Sequence, residues 1–421
     1  MPQEETRYHQ RGFGLKQAIQ APLRNDYHSQ LVEEIRASGC PLSRGRLTMR
    51  LAGQFGFCYG VDRAVDYAYE ARMKFPDRRL FLIGEIIHNP NVNGRLRDMG
   101  IIFLDPPEPL IQLNGNSLRL SGSGGTHTST ATDSEPYAGV GAEDVVIIPA
   151  FGVPVRDLDL LRKRGCILVD TTCGSVLNVW KNVERYARED FTSVIHGKYW
   201  HEETRATASR ALAHGGGHYL VLRDLKETAE AAAVITGEAD PAEFAERLRD
   251  ATSPGFDPAH HLGRIGLANQ TTMLSSESLE IGEVLRNALI QRWGEEEVAR
   301  RFRAFDTICS ATQERQDAVL QLLEEKLDLM IVVGGFNSSN TSHLAEIAAR
   351  KIPSYHIEDA SSVLSAREIR HRPVDSREPA LAHDWLPEGP VTVGLTSGAS
   401  TPNSKVGEVI ERLAACCGVS L

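Results

Sequence analysis

Three cysteines in this chain stand where a thiol acquires chemistry. Cys58 lies in Gly56-Phe-Cys-Tyr-Gly, after the strand-like run Leu47-Thr-Met-Arg-Leu and ahead of a helix beginning near Val61. Cys173 closes Leu168-Val-Asp-Thr-Thr-Cys and precedes Ser175-Val-Leu-Asn-Val-Trp-Lys-Asn-Val, whose apolar spacing is helical. Cys309 follows Phe305-Asp-Thr-Ile and precedes an amphipathic helix starting at Ala311. The start of a helix offers unpaired N–H groups and the positive end of the macrodipole, and both stabilise a thiolate. Three such positions, 115 and 136 residues apart, suit one anionic metal cluster approached by three α/β lobes. Three thiolates would leave one iron of a cubane without a protein ligand, the open position that Lewis-acid chemistry requires. Taken singly, each cysteine also fits the common fate of a free thiol, burial as a small apolar side chain. Cys166, inside the apolar run Cys166-Ile-Leu-Val, reads that way, and Cys40, Cys416 and Cys417 acquire no role.

Two polar loops have the form strand, hydroxyl-rich turn, helix: Val332-Val-Gly-Gly-Phe-Asn-Ser-Ser-Asn-Thr-Ser-His and Leu395-Thr-Ser-Gly-Ala-Ser-Thr-Pro. Hydroxyls, amides and helix N–H groups converging there would bind an anion, although Ser and Asn at a helix start are also ordinary caps. A polar run, Trp200-His-Glu-Glu-Thr, interrupts an apolar pattern. Its acids fit the first turn of a helix, where the macrodipole favours negative charge, and Glu202 reads as such a solvated residue.

Elements that could position these groups are visible as strand-like runs alternating with amphipathic helices: Leu80-Phe-Leu-Ile, Val145-Val-Ile-Ile, Cys166-Ile-Leu-Val, Leu329-Met-Ile-Val-Val and Val391-Thr-Val-Gly-Leu. Such alternation predicts an α/β protein with parallel sheets. At 421 residues the chain exceeds one hydrophobic core, and we divide it into an N-terminal extension (1–45), a first lobe (46–172), a second (173–305) and a third with a C-terminal helix (306–421). The extension carries one helical stretch at Ser29-Gln-Leu-Val-Glu-Glu-Ile-Arg. A polar, Gly-rich stretch at about 106–143 reads as a surface insertion and 366–389 as a further loop.

Composition narrows the function. A formal net charge of −10 opposes sequence-independent nucleic-acid binding. No run approaches the length of a membrane span. The first residues, Met1-Pro-Gln-Glu-Glu-Thr, match neither a secretory signal nor a transit peptide, and seven scattered cysteines do not form a secreted disulfide framework; the expected setting is the reducing cytoplasm. No Gly-rich dinucleotide fingerprint follows a strand, so electrons would have to come from an external carrier.

Taken together, Phe57-Cys-Tyr-Gly-Val-Asp-Arg-Ala, Glu85-Ile-Ile-His-Asn-Pro, Asp170-Thr-Thr-Cys, His201-Glu-Glu-Thr, Asn269-Gln-Thr-Thr-Met, Asn337-Ser-Ser-Asn and Thr396-Ser-Gly-Ala-Ser resemble the hydroxymethylbutenyl diphosphate reductase family. The extended start and the form His196-Gly-Lys-Tyr-Trp-His-Glu-Glu-Thr are similar to its cyanobacterial and plastid branch. The resemblance implies a pseudo-threefold cloverleaf of α/β lobes around one 4Fe–4S cluster, held by Cys58, Cys173 and Cys309 with one iron lacking a protein ligand. It implies Glu203 as proton donor with Thr271 beside it. His88, His201, Thr271, Ser338, Ser339, Asn340 and Ser400 fall on the substrate side, the histidines protonated by the nearby diphosphate. Ferredoxin or flavodoxin is the implied electron donor, and the implied reaction is reductive dehydroxylation of a small allylic diphosphate. One departure stands out: Phe151-Gly-Val replaces a His-Gly-Val found in many members, as in the plastid-like branch.

Three cysteines also fit a three-lobed cluster lyase similar to quinolinate synthase, a non-enzymatic cluster redox sensor, or a zinc site completed by a histidine. A lyase acting on carboxylates would call for basic side chains rather than the Asn-Ser-Ser-Asn loop. A sensor needs no paired anion loops, and a structural zinc site ordinarily uses a close cysteine pair that this chain lacks.

Overall fold

The computed structural model describes residues 7–105, 110–113, 116–119, 136–213, 215–305 and 307–421. They build three separate, mainly parallel sheets flanked by helices, as the alternating pattern predicts. The first sheet runs in the order Tyr8–His9, Ile167–Asp170, Val145–Ile148, Leu80–Ile83, Ile101–Leu104, all neighbours parallel. The second runs Tyr219–Leu222, Thr192–His196, Ile265–Asn269, Phe302–Ala304, again all parallel. The third runs Ser354–Ile357, Leu329–Val333, Val391–Ser397, Leu47–Leu51, Leu42–Arg44, and only its last pair is antiparallel. The central strands are buried along their whole length, which explains why they read as continuous apolar runs rather than alternating ones.

The chain divides into two compact units. The first contains the described parts of Met1–Arg11, Ala71–Ile86 and Arg97–Ile308, and so holds the first two sheets. Its cores centre on Phe81, Val146, Ile148 and Leu168 in one sheet and on Val194, Leu220, Leu267 and Leu285 in the other. The second unit, Gly12–Glu70, Ile87–Leu96 and Cys309–Leu421, holds the third sheet, with a core that includes Val32, Met49, Ile331, Val393 and Ile410.

Three features differ from the division drawn from sequence. The strand Leu47–Leu51, placed there in the first lobe, pairs with Val391–Ser397 in the third sheet. A parallel partner lies a long crossover away, so no local signal reveals it. The extension is part of both units: Tyr8–His9 adds an edge strand to the first sheet, while helix Gln30–Ser38, started by the Ser29 side chain, buries Val32 and Ile35 in the third core. The stretch 366–389, read as a loop, contains an antiparallel hairpin of Glu368–His371 with Ala380–His383. Within the insertion at 106–143, Leu110–Leu113 pairs antiparallel with Asn116–Arg119; positions 106–109, 114–115 and 120–135 lie outside the described residues.

Among the described residues no helix is long and apolar enough to cross a membrane.

Candidate active site

Each of the three singled-out cysteines immediately precedes a helix: Cys58 before Tyr59–Lys74, Cys173 before Gly174–Arg188, Cys309 before Ser310–Leu322. All three are half-buried, whereas Cys166 is buried and its thiol is pushed up to about 11 by desolvation. None of the seven cysteines forms a disulfide.

In the second unit, adjacent strands of the third sheet deliver the loops to one edge, the carboxyl end where ligands of parallel sheets bind. After Leu47–Leu51 comes the Cys58 turn, where the Gly56 N–H donates to Ser397 Oγ at 3.0 Å and the Cys58 N–H to the Ala399 carbonyl at 3.2 Å. The Cys309 sulfur accepts the Thr312 N–H at 3.4 Å and lies 3.0 Å from the Thr312 hydroxyl. Arg315 ties these turns together, donating to the Gly56 carbonyl at 2.7 Å and the Ala311 carbonyl at 2.8 Å. Burial pulls its guanidinium pKa down, and Cys58 and Cys309 oppose that pull, which places a fixed cation beside two sulfurs. Half-buried thiols at helix starts with a cation alongside are a donor set that fits an anionic iron–sulfur group.

The same edge carries the polar loops. Ser338 caps helix Ser339–Ala349 through the Thr341 N–H, and Ser400 Oγ donates to the His88 carbonyl at 3.1 Å. Asn340 Oδ1 accepts the Ala399 N–H at 2.9 Å, but its Nδ2 is buried without a hydrogen-bond partner among the described residues. An orphaned buried amide donor is costly unless something not of the chain accepts from it. Ser339 is buried beside it as the first helical residue. Gly335 has to be glycine, since a Cβ there would meet the His88 carbonyl oxygen at 2.8 Å. We expect Asn340→Ala to weaken substrate binding by about 0.5–1.5 kcal/mol, rising to about 3 because the acceptor is charged. Asn340→Asp, which keeps the acceptor for Ala399 and adds a negative charge, should weaken it further. Calorimetric titration checks both, with iron content unchanged in each.

Three residues outside the sequence-derived set support this loop. Asn337 Nδ2 lies 3.3 Å from His88 Nδ1 and can only donate, so the neutral ring carries its proton on Nε2. Arg372, from the hairpin region, donates to the Phe336 carbonyl and to Ser342 Oγ, while buried His356 donates Nε2–H to the Gly334 carbonyl at 2.9 Å. Desolvation pushes the His356 pKa down to about 3, so it stays a neutral donor. Arg372→Ala should lower unfolding stability by about 1.5–3 kcal/mol, the range for a hydrogen bond from a charged group. Arg372→Lys should recover only part of this, because an ammonium does not reproduce the planar fork. Denaturant titration of the two variants measures the difference.

In the first unit, Cys173 ends the turn after Ile167–Asp170, its N–H donating to the Ala150 carbonyl at 3.0 Å. Asp170 braces that turn, accepting the Thr172 N–H at 2.9 Å and, on its other oxygen, the Tyr8 hydroxyl at 2.5 Å. Neighbouring strands of the second sheet deliver the acid: Thr192–His196 leads to helix Glu202–Ala211, and Ile265–Asn269 leads to Gln270 and Thr271. Glu203 is buried; its Oε1 accepts the Thr271 N–H at 2.6 Å and its Oε2 lies 3.0 Å from Thr271 Oγ1. Glu202 is half-buried, so the two adjacent acids have different surroundings. His201 caps the helix by accepting the Glu203 N–H on Nδ1 at 3.2 Å. An N–H aimed at Nδ1 requires that nitrogen to be unprotonated. In this arrangement the ring proton sits on Nε2. Phe151 meets His201 edge-on, with ring centroids 5.7 Å apart.

Both units are parallel α/β layers with enzyme-like groups at their strand ends: the second carries two helix-start thiols and a buried amide donor, the first a third such thiol and a buried, oriented carboxyl group. Residues 49–414 match the LytB protein family, and the chain belongs to that family. It is 45% identical over 414 residues to the 4-hydroxy-3-methylbut-2-enyl diphosphate reductase of Thermosynechococcus vestitus, covering 98% of this chain and 96% of that one. It is 46% identical to the enzyme of the same name from Gloeobacter violaceus, covering 98% and 93%, and 47% identical to that of Synechococcus sp. strain CC9605, covering 97% and 95%. The fold is similar to that of the solved E-1-hydroxy-2-methyl-but-2-enyl-4-diphosphate reductase from Plasmodium falciparum, with a TM-score of 0.58, 20% identity and 87% of each chain covered.

Proposed function

We propose that this chain reduces 4-hydroxy-3-methylbut-2-enyl diphosphate to isopentenyl diphosphate and dimethylallyl diphosphate, releasing water and consuming two electrons and two protons. The relatives that carry this activity in their names match it over nearly its whole length. The observation that carries the chemical half of the reading is the buried Glu203 carboxyl group, held on both oxygens by Thr271.

Cys58, Cys173 and Cys309 would hold a 4Fe–4S cluster, which when bound supplies electrons singly and offers an open Lewis-acid position. The chain's own groups do the rest. Ser338, Ser339, Asn340 and Ser400 receive the diphosphate as neutral donors, with the helix start at Ser339 adding its dipole. His88 and His201 donate from Nε2. Glu203 gives a proton to the departing hydroxyl, and Thr271, bonded to it through N–H and hydroxyl, sets the carboxyl plane. The C–O bond breaks, water leaves, and a second proton at either end of the allyl group yields the two products. Ferredoxin or flavodoxin delivers the electrons, and the setting is cytoplasmic.

Metal analysis after anaerobic purification tests the cofactor assignment. About four iron and four sulfide per chain, with zinc absent, is expected. Stoichiometric zinc without sulfide would overturn it in favour of a structural metal site.

A further inference from the structure

The amino-terminal edge of the second sheet carries a cleft of about 320 Å³, open to solvent, that the proposed reaction does not use. Every stretch lining it immediately precedes a strand: Asp190–Thr192, Gly216–His218, His260–Arg264 and Arg301 enter the four strands of that sheet. The opposite edge of the same sheet delivers Glu203 and Thr271. Five-residue strands separate the two edges by about 16 Å.

The lining is cationic in a chain whose net charge is −10. It holds Arg264, Arg301, His218, His260 and His261 against one acid, Asp190. The rings of His218 and His261 stack at 3.7 Å between centroids, tilted by 19°. The Asp257 N–H donates to His261 Nδ1 at 2.8 Å, which puts the His261 proton on Nε2. Ser253 Oγ accepts the Tyr219 N–H at 3.2 Å and lies 3.1 Å from His218 Nδ1, so His218 too is held through Nδ1 with Nε2 left over. Neither Nε2 makes a hydrogen bond among the described residues. Arg264 lies over the Phe191 ring at 4.3 Å and has no ion pair among the described residues. Arg301 is steered by the Gly263 carbonyl at 3.2 Å and faces Glu297 at 3.6 Å.

We propose that this cleft binds a small phosphorylated metabolite through its phosphate group, with Arg264 and the Nε2–H groups of His218 and His261 as the principal donors. Two guanidinium groups that cannot deprotonate disfavour a metal cation there, while paired N–H donors beside a guanidinium match the oxygens of a phosphate. The site is independent of the cluster and of the residues assigned to the reaction.

Imidazole proton–nitrogen correlation spectra of the full-length holoprotein, titrated with inorganic phosphate and separately with inorganic diphosphate, test this. His218→Gln and His261→Gln assign the resonances. The expected result is saturable movement of the His218 and His261 signals, with binding weakened about tenfold or more in Arg264→Ala, whose exposed side chain can be removed without disturbing the core. Signals that move equally with sodium chloride at matched ionic strength, or a titration unaltered by Arg264→Ala, would overturn the proposal. Turnover of Arg264→Ala at saturating substrate should equal that of the parent protein, which separates this site from the reaction centre.

Discussion

Glu203→Gln should bind substrate and retain its cluster while turnover falls about 10²–10⁴-fold, the usual contribution of a positioned general acid. The geometry makes this a clean substitution. A glutamine carbonyl can accept the Thr271 N–H as Oε1 does, and its amide can donate to Thr271 Oγ1, so the 2.6 Å and 3.0 Å contacts survive while the transferable proton does not. Glu202→Gln should stay near the parent rate. Adjacent helical positions point about 100° apart, and only Glu203 is buried against Thr271. Steady-state turnover with a strong artificial reductant, alongside iron content for each variant, makes the comparison. A dead Glu202→Gln beside an active Glu203→Gln would reverse the two roles.

Serine substitution of the seven cysteines should divide them into two classes. Replacing Cys58, Cys173 or Cys309 should remove iron and the visible absorption together, since a serine hydroxyl is a far weaker and harder ligand than a thiolate. Replacing Cys40, Cys416 or Cys417 should leave both unchanged. Cys166→Ser should act on stability alone, because it introduces a hydroxyl into a buried apolar cluster. Loss of iron on changing Cys166 or Cys416, with Cys58→Ser intact, would refute the ligand assignment.

How much of this was legible in the sequence depends on whether the signal is local. The five apolar runs named from sequence are strands, and the helices after Cys58, Cys173 and Cys309 begin at the next residue in each case. Both signals sit within a few residues of the feature they predict. The Glu203–Thr271 pair joins residues 68 apart, and the motif resemblance placed them side by side where spacing alone could not. Three things stayed hidden for physical reasons. Strand Leu47–Leu51 shares its sheet with Val391–Ser397, a pairing that no local pattern encodes. Arg315 reads as one more polar residue on an amphipathic helix, although it is buried and clamps the Cys58 turn. His201 was singled out for the substrate side, and nothing in the sequence shows that it also caps a helix by accepting the Glu203 N–H on Nδ1. In each case the deciding contact is tertiary, or depends on which ring nitrogen a backbone N–H happens to meet.

The most direct test of the whole account is to incubate the anaerobically purified protein with 4-hydroxy-3-methylbut-2-enyl diphosphate and a one-electron reductant, and to follow the products by mass spectrometry. The account predicts disappearance of substrate with formation of isopentenyl and dimethylallyl diphosphates, two electrons consumed per molecule. Substrate left intact by a preparation with full iron and sulfide content would contradict it.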